Sequence, residues 1–133
     1  MFLAHLSVEQ KRAFMVLAKR LMLADEDFAK EEKEILELMS IETGVPIPEN
    51  IDGEETKILL ELFPDKKSRV ATMLEFIGIV YADSNVDPSE DQFISEVASA
   101  FQMTQSEIAD YTSWITRQIN LHKEAISFFD EGE

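Results

Sequence analysis

The chain contains no cysteine. Disulfides are therefore excluded, and no thiolate is available as a nucleophile or metal ligand. Only four glycines and four prolines interrupt 133 residues. A glycine-rich loop that cradles phosphate is absent, and long helices are left unbroken. Histidine is nearly absent too, with only His5 and His122. Neither sits in a His-Glu-x-x-His pattern, and no Glu stands three residues before either. The familiar helical zinc and di-iron sites are thereby excluded. Bases are scarce: 12 against 27 acids, for a net charge of −15. Such a surface repels nucleic-acid backbones and anionic lipid, so neither is an expected partner. No apolar run approaches the roughly 18 residues of a membrane span. No basic-then-apolar leader opens the sequence, so the expectation is a cytoplasmic protein that does not insert into membranes.

What remains is rich in Leu, Met, Ala, Glu and Lys, which favour helix. Apolar residues recur at helical spacing. Phe14, Leu17, Ala18, Leu21 and Met22 share one face, as do Val70, Met73, Leu74, Ile77, Val80 and Tyr81. Phe93, Ile94, Val97, Ala98 and Phe101 make a third stripe. Ile108, Tyr111, Ile115, Ile119, His122, Ile126 and Phe129 make the longest, which places His122 as a partly buried structural residue. Met15, Met22, Met39 and Met73 read as core rather than as an adaptable groove.

Start signals match the stripes. Ser7 to Gln10 and Thr104 to Glu107 read as capping boxes. Asp65, after Phe63-Pro64, and Asp52-Gly53 are further N-cap candidates. The pattern predicts helices near 8–24, 30–43, 53–62, 66–82, 88–101 and 105–129. The length predicts one domain over residues 1–133. The expected class is all-α: a compact bundle of about six to seven helices.

The chain also repeats itself. Asp25 and Asp83 are 58 residues apart, and at that offset Ala24 meets Ala82, Asp27 meets Asn85 and Glu32 meets Glu90. Ile35, Leu36 and Met39 meet Phe93, Ile94 and Val97. A pseudo-repeat over about 8–43 and 66–101 follows, with two similar helical hairpins covering each other's apolar faces. The shared chemistry lies at the two hinges, which are expected to meet in space.

Asp87-Pro88-Ser89-Glu90 is a strong helix start, with Asp at the N-cap, Pro at N1 and Glu at N3. Capping thus accounts for Asp87 and Glu90 but not for Asp83, Asn85 or Asp91. A calcium-binding EF-hand is excluded. Asp83, Asn85 and Asp87 fit its first, third and fifth positions, but Pro88 replaces the sixth-position Gly and Ile94 the twelfth-position Glu.

The stretches "ADEDFAKEE", 24 to 32, and "ADSNVDPSE", 82 to 90, resemble the "ADGxVxxxE" signature of the TerB-like family, the tellurite-resistance protein TerB and its relatives. The resemblance runs from about residue 8 to 120. The usual Gly after Asp is Glu26 in one copy and Ser84 in the other. The resemblance implies a non-enzymatic helical domain tied to tellurite or other stress. It also implies an acidic cluster for a divalent ion, carried by Asp25, Glu32, Asp83 and Glu90. Convergence of acids at the second hinge adds Asn85 and Asp87 to that set. Ca²⁺ or Mg²⁺ suits oxygen ligands of this kind, with the second hinge binding more strongly than the first. Two alternatives stand beside this reading: an interaction module recruiting a basic protein partner, and a hydrolase using a carboxylate-bound metal.

Overall fold

A computed structural model describes residues 1–24, 30–82 and 86–130. A 3-10 turn, Leu3–His5, opens the chain. Among the described residues six helices follow: α1 Val8–Ala24, α2 Lys30–Thr43, α3 Thr56–Leu60, α4 Lys66–Val80, α5 Pro88–Ala100 and α6 Gln105–Phe129. Among the described residues there is no strand. The fold is all-α, as the spacing predicts.

The starts are fixed by side chains. Ser7 Oγ accepts from the Gln10 amide at 3.1 Å, and Gln10 Oε1 accepts from the Ser7 amide at 2.9 Å. Thr104 and Glu107 form the same box. Asp65 caps α4 by accepting from the Ser68 amide and, at 2.6 Å, from its hydroxyl. One cap fails. Helix α3 starts at Thr56 rather than near 53, and Glu55, not Asp52, is its N-cap, without a side-chain bond. Asn50 Oδ1 accepts the Asp52 amide instead, in a turn that holds this stretch away from helix.

Two ends use left-handed backbone. Gly44, at φ 73°, closes α2 and donates its N–H to Ser40 O at 2.9 Å. Helix α5 ends in a Schellman motif: the Met103 amide reaches Ala98 O at 2.9 Å and the Gln102 amide reaches Ser99 O at 3.2 Å. Here the left-handed residue is Gln102, at φ 58°. A left-handed L-residue costs roughly 1–2 kcal/mol, and glycine returns about half of that as chain entropy. Gln102→Gly is therefore expected to raise stability by about 0.5–1 kcal/mol. A melting temperature equal to or below the parent's would show that the Gln102 side chain holds the turn.

The core is one cluster at the centre of α1 and α4. Helix α1 packs against α2, α3, α4 and α5, and α4 packs against α5, α6 and the 3-10 turn. Phe14, Met15, Leu17, Leu21, Met22, Met73 and Phe76 are fully buried. Met15, Met22 and Met73 are core, as expected, and Met39 packs against them. Leu3 and Leu6 are also buried, although no helical period marks them. Leu3 is anchored by its amide to Glu42 at 3.2 Å.

Helix α6 departs from expectation. Ile115 is buried and Ile119 packs on the core, but every residue from 120 to 130 is exposed. His122 is therefore exposed, not a partly buried structural residue. Periodicity marks an apolar face but does not say how far the body extends beneath it.

Candidate functional site

The two hinges lie between α1 and α2 and between α4 and α5. Asp25, Asp83 and Asn85 fall outside the described residues. Glu32, Asp87 and Glu90 fall inside them. Asp87 N-caps α5: its carboxylate accepts from the Ser89 amide at 2.9 Å and the Ser89 hydroxyl at 2.7 Å. The Ser89 hydroxyl, and then its amide, hold the Asp87 carboxyl below the usual range. A depressed carboxyl stabilises the fold above its ordinary pKa, and that contribution is lost as pH falls through the folded value. Glu90 completes the box by accepting the Asp87 amide at 3.1 Å, and it is only 6% exposed. The expected helix-start chemistry of Asp87, Pro88 and Glu90 is thus what the structure shows. Asp91 sits in the first turn of α5, exposed, where the helix dipole favours an acid.

The hinges approach each other. The Ser89 hydroxyl, inside the second hinge, lies 3.3 Å from the carbonyl of Ala24, the last residue of α1 and the first of "ADEDFAKEE". Sixty-five residues separate the two. That contact places the start of α5, with Asp87 and Glu90, beside the end of α1. Glu32, in the first turn of α2, is half-buried, and its Oε2 is shielded from solvent. Among the described residues alone, no three His, Asp or Glu side chains are grouped to hold an ion. Glu32, Asp87 and Glu90 offer only oxygen, which fits a hard divalent cation and no softer metal.

Sequence reasoning missed two features. The first is an open cleft of about 820 Å³ lined by Arg20, Glu54, Thr56, Leu60, Glu96 and Ser99. Arg20 spans it, donating Nε to Ile51 O at 2.6 Å, Nη1 to Thr56 Oγ1 at 3.2 Å and Nη2 to Glu54 O. Its only trace in the sequence is a basic pair, Lys19-Arg20, opposite an apolar stripe. The second is a carboxylate pair, Glu42 and Glu75, within 2.8 and 3.5 Å of the Met1 amino group. Burial pushes the Glu75 carboxyl up, and neighbouring Glu42 adds to this against the pull of the amino group.

Residues 49–112 match the family model described as tellurite resistance protein TerB. This stretch of the chain is similar to TerB. It holds α3, α4, α5, the second hinge and the first turns of α6. The first hinge, from 24 to 32, lies outside the matched residues. No curated protein and no solved structure matches the chain. Among the described residues, no helix is long and apolar enough to cross a membrane.

Proposed function

We propose that the chain is a non-catalytic TerB-like accessory domain, serving in the kind of stress response its family description names, and that its paired hinges hold a divalent cation. Ser89 carries this reading, because its hydroxyl, bonded to Asp87, also touches the Ala24 carbonyl and so brings the start of α5 against the end of α1, 65 residues away in sequence. Asp83 and Asn85 supply the oxygens that no cap consumes, and Asp25 and Glu32 supply the first hinge's share. Asp87 and Glu90 order the start of α5 beside them. Carboxylates that converge on one point repel one another, and Ca²⁺ or Mg²⁺ between them offsets that repulsion. The ion supplies charge neutralisation and order between the hairpins.

An ion at a hundred times its dissociation constant adds about 2.7 kcal/mol to stability. Melting curves with a few millimolar Ca²⁺ or Mg²⁺, at constant ionic strength, are expected to shift upward. The shift is expected to vanish in Asp83→Asn. No ion-specific shift, or an equal shift in the variant, would mean that the hinges are turn and cap chemistry only.

The reading as a recruiter of a basic protein rests on a separate place. Asp52, Glu54, Glu55 and Glu96 line the 820 Å³ cleft with acid. Binding there would fall smoothly with added salt of any kind and ignore the divalent ion. A titration of a basic peptide against NaCl and against MgCl₂ at matched ionic strength separates the two readings.

A further inference from the structure

We infer that α6 pairs antiparallel with the α6 of a second copy of this chain. Trp114, Gln118, Leu121, Ala125 and Phe128 recur at alternating steps of four and three along α6. That spacing is the seam of a two-helix coil. Trp114 is 38% exposed, Leu121 63% and Phe128 64%, and Phe129 beside them is 75% exposed. The seam is distinct from the stripe through Ile108 and Ile115 that packs on the chain's own core. Helix α6 thus carries two apolar faces: the chain covers the first, while on the second Phe2 meets the Trp114 ring at 5.7 Å and Leu121 and Phe128 are left exposed.

Charge selects the occupant. From Tyr111 to Phe129 the only charged residues are Arg117, Lys123 and Glu124, a net +1 in a chain of −15. Two copies meet here without the repulsion their other surfaces impose. Arg117 and Glu124 each follow a seam residue by three and so lie along the same edge of the helix. They are also equidistant from the midpoint between Asn120 and Leu121. In an antiparallel pair centred there, like edges meet, and Arg117 faces Glu124 of the partner subunit. The two-fold makes that pair twice. A parallel pair sets Arg117 against a different edge, and an unrelated partner gives no reason for this symmetry. The self-pairing is isologous and closes on itself. The seam spans only about two heptads, so the dimer depends on concentration.

Sedimentation equilibrium in EDTA, over a concentration series, is expected to show a monomer–dimer equilibrium. EDTA keeps the outcome independent of any hinge ion. Leu121→Asp with Phe128→Asp is expected to leave a monomer with unchanged helicity by circular dichroism. Arg117→Glu and Glu124→Arg are each expected to weaken the dimer about tenfold. Mixing the two variants one to one is expected to restore it as a heterodimer, because every edge pair is again of opposite sign. A monomer at all concentrations overturns the proposal. A dimer indifferent to both charge reversals, or one the mixture does not restore, overturns the antiparallel α6 pairing.

Discussion

Phe76→Ala is expected to cost about 3–5 kcal/mol of folding stability, the largest loss of any single truncation in this core. Phe76 lies on α4 and is fully buried. Its ring stacks on Phe14 of α1 at 5.1 Å and 10° between planes. It also meets Phe93 of α5 edge-on at 5.4 Å and 87°. Three helices therefore share one aromatic cluster, and those helices carry the start of the first hinge and both ends of the second. Truncation removes transfer energy, leaves a cavity, and breaks two ring pairs worth about 0.5–1.5 kcal/mol each. Phe76→Leu keeps most of the volume and is expected to lose less than half as much. Urea denaturation with an unchanged m-value measures both. A Phe76→Ala loss under about 1.5 kcal/mol would mean that the surrounding helices collapse onto the gap, a behaviour a rigid three-helix junction does not show.

The sequence shows clearly where local chemistry and tertiary packing agree. Ser7, Asp65, Asp87 and Thr104 begin helices because each finds an amide one turn on, and no distant residue is needed. The same locality exposes the limits. Asp52-Gly53 reads as a helix start, but a turn through Asn50 takes the Asp52 amide first. Leu3 and Leu6 are too few for a period, yet the core recruits them through α2 and α4. Helix α6 keeps its apolar spacing beyond Ile119, where its own body no longer covers it. Of the candidate site, Asp87 and Glu90 were legible as caps and proved to be caps. The approach of the hinges was legible from the repeat, and Ser89 makes the contact. The Arg20 clamp was not legible, because its acceptors lie more than thirty residues away and two of the three are backbone carbonyls, which carry no sequence signature.

Arg20→Ala is expected to cost roughly 2–3 kcal/mol, since each hydrogen bond from a charged donor contributes about 1.5–3 kcal/mol and this site is only partly buried. Three donors of one guanidinium reach Ile51, Glu54 and Thr56, while Lys19 holds Pro48 O at 2.6 Å. Together they pin the stretch between α2 and α3, where two prolines and no regular structure leave the backbone carbonyls to find donors elsewhere. The TerB-like match begins at residue 49, so Arg20 ties the part of the chain outside that match to the part within it. Helix α3 is short and its own cap makes no side-chain bond, so the clamp at its start and the Gln10 amide on Leu62 O at its end, 3.0 Å, hold it where Leu59 and Leu60 are buried. Arg20→Lys keeps the charge but loses the planar fork, and is expected to recover less than half of the deficit. Amide exchange resolves the mechanism. Protection is expected to fall across α3 and the turn after it, at Leu59 and Leu62 above all, while the amides within α4 and α5 keep theirs relative to global stability. Uniform loss of protection across the chain would mean that Arg20 supports the whole core and not the loop. An unchanged exchange pattern with unchanged stability would mean that water replaces the guanidinium at no cost, leaving the cleft it spans without a structural keystone.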